Sequence, residues 1–262
     1  MDKDLEIKIK ELNSSTGPQA LILAAMCADE LEMSGVLHME RDQYIGEKAI
    51  EIANKFEEAE LKEKKKMEDG FSLLRKRLEA LPDNIKDVFE ENLDQITKRT
   101  KDLIYANFEN INSLASQWAS CETMREVLGF SDELMEWIYQ VGLGLFNEKK
   151  FTEAESIFLI LLKLNHLMPN YWIALALSKK ELNEYQESLF LFNSLTFLDP
   201  ANPIARYHSA DLYLKLDQIE EALTELQELA IIIDQTKEES WRSLYDALAK
   251  IASQKSQVGG MS

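Results

Sequence analysis

The residues most often used for nucleophilic catalysis and metal binding are scarce in this chain, which has two cysteines and three histidines among 262 residues. Cys27 and Cys121 lie far apart in the sequence and form no CxxC motif. His38, His166 and His208 have no second histidine, cysteine or paired carboxylate at ligand spacing on a shared helix face. We therefore predict that the chain is not an enzyme and that it holds neither a metal ion nor another cofactor.

The charge balance is strongly acidic, with 47 Asp and Glu residues against 29 Lys and Arg residues and a formal net charge of -18. Nucleic acids and anionic membranes attract positive surfaces, so neither is an expected partner. The apolar run at residues 20–28 is far shorter than the roughly 20 residues that cross a bilayer, and the N-terminus lacks the pattern of a secretory signal. A reducing cytoplasm is the simplest location for a chain with so few cysteines.

A period of about 34 residues runs from Met135 to Asp234 and predicts paired helices. Small residues recur at the two points where paired helices touch, and bulky residues recur beside them, which is the pattern that close helix packing requires. We predict three tetratricopeptide-type helix pairs in an all-α superhelix. The small positions are Gly142, Ala176 and Ala210, and then Ala154, Ser188 and Ala222; the bulky positions are Phe151, Tyr185 and Ile219, and then Phe158, Phe192 and Leu226.

The segments on both sides of the repeats also have helical patterns. Apolar stripes before and after the turn at Pro82 predict two long helices, from about residue 40 to 81 and from there to about residue 103, which pair as an antiparallel hairpin resembling a coiled coil. Apolar side chains at helical spacing in residues 237–253 predict a helix that caps the last repeat. We assign residues 1–120 to an N-terminal helical region, residues 121–256 to the repeat domain and residues 257–262 to a disordered tail.

In stacked helix pairs of this type the first helix of each pair lines a concave groove, so the side chains on that face are candidates for ligand contact. These side chains are mostly apolar and aromatic, and we predict that they hold an extended apolar peptide segment. Packing of the protein's own N-terminal helices on the same face is the alternative. The groove positions are Tyr139, Leu143, Phe146 and Asn147 in the first repeat, Ile173, Leu177 and Lys180 in the second, and Ile204, Tyr207, Asp211 and Leu214 in the third.

The first-repeat groove positions argue against one common use of this architecture. Grooves that capture the C-terminal carboxylate of another protein employ Lys, Arg and Asn at the corresponding positions, because these side chains bond carboxylates. Here Tyr139 and Leu143 stand there instead. We therefore do not expect an adaptor that binds the C-terminal tails of other chaperones.

Three local motifs go beyond the generic repeat pattern. They are the lead-in FSDELMEWIY at the first repeat, His166 in the turn that follows this repeat, and the stretch PIARYHSA at residues 203–210. Together they make residues 122–253 resemble the class II chaperones of type III secretion systems, which serve hydrophobic translocator proteins. The chain departs from the family at Asn165, where Asp is usual, and in the roughly hundred residues that precede the similar part.

The resemblance implies a bacterial cytoplasmic chaperone that binds an extended segment of a hydrophobic translocator in its groove and keeps it soluble and competent for export. In this family, groove residues of the first repeat engage the client, and they fall on Tyr139, Leu143 and Phe146. Two alternatives stay open, namely a general tetratricopeptide scaffold for protein assembly and a groove that the N-terminal helices occupy and regulate. The N-terminal helices could also join two copies in a homodimer.

Overall fold

The computed structural model describes residue 24 and residues 41–104, 121–237 and 239–259, and over these ranges the protein is helical and contains no strand. The chain divides into two compact units, Met1–Glu68 and Asp69–Ser262. In the first unit Ala49 and Ala53 pack with Ala24, and Ile45 and Ile52 pack against them. Of the apolar run predicted at residues 20–28, only Ala24 lies among the described residues, and it is fully buried.

The described helices begin and end at signals that can be read in the sequence. Pro169 and Pro203 each stand in the first turn of a helix, where the missing N–H has no intrahelical acceptor. Ser131 caps another helix, because its Oγ accepts a hydrogen bond from the Leu134 N–H at 3.2 Å. The helices are α1 (Arg41–Glu79), α2 (Asp83–Ile104), α3 (Met124–Leu128), α4 (Asp132–Asn147), α5 (Phe151–Leu164), α6 (Pro169–Glu181), α7 (Tyr185–Leu198), α8 (Pro203–Lys215), α9 (Ile219–Thr236) and, after a 3-10 turn at Glu239–Trp241, α10 (Arg242–Gly259).

Helices α4 to α9 form the three predicted pairs, and each of them packs against the next one along the chain. The small positions lie at the contacts between helices: Ala154, Ala176 and Ala210 are fully buried. Ser188 Oγ donates a hydrogen bond of 2.7 Å to the Ala176 carbonyl, which shows how closely the two backbones approach. Phe158 and Phe192, at the bulky positions, are also fully buried, so the packing read from the period is confirmed.

The turn inside each helix pair has a left-handed residue. Lys149, Asn183 and Asp217 have φ values of 60°, 61° and 58°, and they follow one another at intervals of one repeat period. Non-glycine residues adopt this conformation at a cost of about 1 kcal/mol or more, although Asn and Asp tolerate it better than others. The tight turn between paired helices is therefore a property of the backbone that recurs in every repeat.

Helix α10 covers the open end of the third repeat, as predicted. Leu248 and Ala252 of this helix are buried together with Leu226 of α9 and with residues of α8. Lys255 Nζ donates to the Leu214 carbonyl at 2.8 Å and also pairs with Asp217, so the two helix ends are tied together. The helix continues to Gly259, three residues into the segment predicted to be disordered, and residues 260–262 lie outside the described residues.

The two long N-terminal helices form where the apolar stripes predicted them, on either side of Pro82, whose carbonyl accepts from the Ile85 N–H at 2.9 Å. The antiparallel pairing is not extended, however, because the residues of α1 from Asp69 onwards make few close backbone contacts with α2. Gly70 packs directly on α5 instead, where an added Cβ would lie 2.7 Å from Ile160 Cδ1. In the second unit, Gly70 of α1 and Phe89 of α2 thus contact the first repeat.

Helix α2 also fixes the chain where it enters the first repeat. The amide of Asn92 donates to the Gly129 carbonyl at 2.6 Å and accepts from the Ser131 N–H at 2.9 Å. Arg99 Nη1 donates to the carbonyls of Glu126 and Val127, at 3.1 and 3.3 Å, at the end of the short helix α3. These bonds satisfy backbone groups that no helix partner reaches, and they make α2 an N-terminal cap of the repeat stack.

Candidate functional site

The candidate groove is the face of α4, α6 and α8 that carries the groove positions predicted from the sequence. Nine of these side chains are half-buried, so they are neither core residues nor fully solvated: Tyr139, Leu143, Phe146, Ile173, Leu177, Lys180, Ile204, Tyr207 and Asp211. Asn147 is exposed, whereas Leu214 is buried. Apolar side chains held half-exposed on one face of successive helices offer area that an apolar ligand can cover.

The first-repeat part of the candidate groove is aromatic. The Tyr139 ring lies 5.6 Å from the Tyr171 ring and 5.9 Å from the Phe158 ring, centroid to centroid. Phe146 meets Phe151 edge to face at 5.1 Å. Burial, and secondarily the charge of Glu136, raises the pKa of Tyr139, so its hydroxyl stays protonated and acts as a neutral hydrogen-bonding group. Ring contacts hold these side chains in place before any ligand arrives.

The middle of the candidate groove is polar. Lys180 Nζ lies 2.6 Å from Asp211 Oδ2 and 3.1 Å from His208 Nδ1. The His208 ring stacks on Phe192 at 5.0 Å, and burial followed by the nearby Lys180 charge lowers the pKa of His208 to about 4. His208 is therefore neutral at physiological pH and accepts a hydrogen bond from Lys180. The ring therefore packs on Phe192 and holds Lys180 in place.

The third-repeat part of the candidate groove ends at an aromatic pair that the sequence did not predict. Tyr207 lies edge to face with His208 at 5.1 Å and contacts Trp241 at 5.9 Å between centroids. Burial, followed by the charge of Asp211, raises the pKa of Tyr207. Trp241 had been assigned only to the capping helix, but it lies in the 3-10 turn before this helix. The apolar pattern marked the residue, but the path of the turn could not be read from it.

Leu214 is a correction to the predicted set. It is 3% exposed and lies in the core with Leu248 and Ala252 of α10. Helix α10 packs on α8 as the first helix of a further repeat would, so it covers the groove position nearest to the end of α8. The usable part of the candidate groove therefore stops at Asp211 and Tyr207.

The described N-terminal residues of the second unit contact the side of α4 that faces away from the candidate groove. Phe89 of α2 meets Trp137 at 5.8 Å between ring centroids. At about 100° per residue, Trp137 lies roughly 160° around the helix from Tyr139. A cavity of about 270 Å³ lies on this same side, lined by Arg77, Trp137, Gln140, Val141, Gly144, Leu145 and Glu148. The contact of Phe89 with Trp137 and the place of Arg77 in this cavity thus lie outside the candidate groove; residues 105–120 lie outside the described ranges.

The turn between the first and second repeats explains two residues of the sequence motifs. Asn165 is buried, and its Oδ1 accepts from the Leu167 N–H at 3.1 Å, so the amide supplies the acceptor that the Asp usual at this position would supply. The Trp172 indole N–H donates to the His166 carbonyl at 2.7 Å, while the His166 side chain is exposed. His166 thus contributes to the turn through its backbone.

In the part of the chain that the structure describes, the His, Cys, Asp and Glu side chains form no group of three or more that could hold a metal ion. Among its helices, none combines the length and the hydropathy of a membrane-spanning segment.

Neither the models of known protein families nor the curated proteins contain a match to this chain. Among solved structures, a type III secretion complex from Aeromonas hydrophila matches with a TM-score of 0.51 and 16% identity, covering 58% of this chain and 99% of the other. The Yersinia enterocolitica translocator chaperone SycD has a TM-score of 0.46 at 17% identity, covering 50% and 97%. PcrH from Pseudomonas aeruginosa has a TM-score of 0.44 at 19% identity, covering 48% and 95%. The match to the Aeromonas hydrophila complex supports the fold predicted from the sequence, which is an all-α tetratricopeptide fold.

Proposed function

We propose that this protein is a cytoplasmic type III secretion chaperone that binds an extended apolar segment of a hydrophobic translocator in the candidate groove. The observation that carries the proposal is the half-exposed apolar face of α4, where Tyr139, Leu143 and Phe146 coincide with the residues that the sequence resemblance assigns to client binding. Similar structures support a translocator as the partner. SycD has been solved with a peptide of the translocator YopD, and PcrH with the chaperone binding regions of PopD and PopB.

The physical task of such a chaperone is to shield apolar surface. A translocator segment destined for a membrane aggregates when it is free in water, and an extended segment held in a groove is shielded without being folded. The formal net charge of -18 would keep the complex of chaperone and client in solution.

The apolar area of the groove determines how long a client segment must be to bind with micromolar affinity. Covering three apolar side chains completely is worth about 6 kcal/mol at ~2 kcal/mol each. The three first-repeat anchors are already mostly buried, so at most about 2 kcal/mol remains to be gained there, which falls short of even millimolar affinity. Micromolar binding therefore needs the second and third repeats, where Ile173, Leu177 and Ile204 supply further apolar contacts, and the client segment has to span the groove.

The test is a calorimetric titration with peptides tiled along a hydrophobic translocator. The double variant Tyr139→Ala, Phe146→Ala and the single variant Leu143→Glu should lose binding. The matched control is Phe190→Ala, Phe197→Ala, which removes two aromatic rings from α7, where they are 70% and 85% exposed. Melting curves of all variants separate lost binding from lost folding. Binding that survives both groove variants but disappears in the control would refute the proposal.

A general scaffold for protein assembly is the second candidate, and the exposed rings of Phe190 and Phe197 are the observation that favours it. A scaffold of this kind would bind a folded partner through these rings. A homodimer through the N-terminal helices remains a proposal as well, and light scattering of the full chain against a chain beginning at residue 69 tests it. Loss of the dimer in the shorter chain would place the interface before that residue.

A further inference from the structure

The charge at the centre of the candidate groove is opposite in sign to the charge of the whole protein. Lys180 is 14% exposed and pairs with Asp211, which is 22% exposed. Lys215 Nζ lies 3.7 Å from the same Asp211 carboxylate and is 41% exposed. Two ammonium groups therefore share one carboxylate in a chain whose formal net charge is -18.

The neighbouring histidine does not change this balance. His208 is in contact with Lys180, and its ring is held neutral by burial and by that charge. The charges that act on this ring are those of Lys180, Asp211 and Lys215, two positive and one negative. The cluster of Lys180, His208, Asp211 and Lys215 thus carries a net charge of about +1 at neutral pH.

The hydrogen-bonding capacity of the cluster is also incomplete. A lysine ammonium has three N–H donors. In the structure Lys180 directs two of them to Asp211 and His208. One donor of a largely buried cation remains, and Lys215, whose ammonium also lies 5.1 Å from the centre of the Tyr185 ring, presents a second positive charge beside it. A structural ion pair for Asp211 needs only one cation, so the second cation and the remaining donor suit an anionic ligand atom.

We propose that this cluster binds a carboxylate of the client segment, and that the client therefore carries an Asp or Glu side chain next to its apolar anchors. This inference rests on the proposed chaperone function and names the kind of segment that the groove selects. Packed helices lie about 8–10 Å apart and an extended chain advances about 3.3 Å per residue. The acidic residue should therefore lie at least about three residues from the anchor that sits on α4, on its N-terminal or its C-terminal side.

A carboxylate can also come from a peptide C-terminus. The cluster lies at the end of α6 and on α8, with apolar and aromatic groove positions on both sides of it: Leu143 and Leu177 on one side, Tyr207 and Trp241 on the other. A client that crosses from Leu177 to Tyr207 runs within about one helical turn of the cluster, because Lys180 and Asp211 lie three and four residues further along the same two helices. An internal acidic side chain reaches the cluster while the client continues to Tyr207, whereas a chain that ends at the cluster leaves Tyr207 uncovered.

The test uses synthetic 12-residue peptides with acetylated N-termini and amidated C-termini, built on the segment that binds in the tiling experiment. They differ only at one position, which is Glu, Gln or Lys and which is placed in turn about three to six residues before and after the apolar anchor. We expect the Glu peptide to bind wild-type protein about tenfold more tightly than the Gln peptide, which corresponds to about 1.4 kcal/mol. The Lys peptide should bind most weakly, and added salt should narrow the differences.

Protein variants locate the effect. Lys180→Met should reduce the ratio of Glu to Gln affinity to about one, and this ratio is the readout because Lys180 is itself a groove position. Lys180→Arg keeps the charge and should keep the ratio, as should Lys250→Met, which removes an exposed lysine of α10. If Lys180→Met impairs folding, the double variant Lys180→Met, Asp211→Asn replaces it, because no buried charge is then left without a partner.

Each outcome separates this inference from the proposed function. Equal affinity of the three amidated peptides for the wild type would overturn the carboxylate site and leave the chaperone function intact. A preference that appears only in peptides with a free C-terminus would overturn the internal acidic residue. Failure of every tiled peptide to bind would overturn the proposed function and the carboxylate site with it.

Discussion

Replacing Gly142 with alanine tests how tightly the first helix pair is packed. A Cβ at Gly142 would lie 2.5 Å from Phe158 Cε1, where ordinary contacts begin at 3.4 Å. The ring or the helix therefore has to move by about 0.9 Å, and Phe158 is fully buried, so no open space receives it. Overpacking of this kind costs about 1–3 kcal/mol, against a gain of about 1 kcal/mol in helix propensity. We expect Gly142→Ala to lower the free energy of unfolding by about 0–2 kcal/mol.

Gly144 provides a matched control two residues further along the same helix. A Cβ there has no neighbouring atom within 4 Å. Gly144→Ala raises the helix propensity by the same amount and reduces the conformational entropy of the unfolded chain by the same amount. Its added Cβ, however, meets no neighbouring atom. We expect it to raise the free energy of unfolding by about 0.5–1 kcal/mol. The difference between the two variants, about 1–3 kcal/mol, isolates the contact with Phe158.

Urea denaturation followed by circular dichroism measures this difference, because a change in midpoint at constant slope reports stability. The groove supplies a second measurement. Phe158 also contacts the Tyr139 ring, so Gly142→Ala should weaken peptide binding, whereas Gly144→Ala should leave it unchanged. If Gly142→Ala proves as stable as Gly144→Ala, the close approach of α4 and α5 and the packing argument drawn from it are wrong.

Three further changes test other parts of the structure. Asn92→Ala removes both hydrogen bonds that hold the chain ahead of α4 and should lower the free energy of unfolding by about 2 kcal/mol, whereas Glu91→Ala, at the exposed neighbouring position, should change it little. Lys149→Gly should raise the free energy of unfolding by about 0.5–1 kcal/mol, because glycine adopts the left-handed conformation without strain. An unchanged urea midpoint would show that Lys149 is not strained in this turn. The pKa of His208 is about 4 in the folded protein and about 6.5 in the unfolded chain. Between these pH values the unfolded state binds more protons than the folded state. The free energy of unfolding therefore falls as the pH drops from 6.5 to 4, by up to ~3 kcal/mol. The free energy of unfolding of His208→Gln should fall less over the same pH interval than that of the wild type. An equal fall in both proteins would show that other groups cause it.

The sequence predicted those parts of the fold that depend on local spacing. The repeat period located all six helices of the three pairs, because small and bulky side chains must alternate in register wherever two helices touch. Gly142, Ala176 and Ala210 could be recognised for this reason alone. The capping helix was equally visible, since its apolar side chains recur at helical spacing.

The parts that could not be predicted depend on where distant elements come to lie. Leu214 has the same repeat position as Phe146. Helix α10 buries Leu214, whereas Phe146 remains partly exposed. Trp241 reaches Tyr207 only because a 3-10 turn redirects the chain before α10. The apolar stripes of α1 and α2 were read correctly as helices, but a stripe does not identify its partner: Gly70 of α1 and Phe89 of α2 contact the first repeat, which the stripes alone could not show.

The three left-handed turns have one backbone conformation and three different residues, Lys149, Asn183 and Asp217. The spacing between repeats is therefore kept by main-chain geometry and by buried contacts, and it places no demand on the side chains that face outward from the first helices. Equivalent groove positions can therefore hold different side chains in each repeat: aromatic rings in the first repeat, a cation in the second, and an anion beside a tyrosine in the third. A chain built in this way can change the side chains of its groove one position at a time while the frame that presents those positions stays the same.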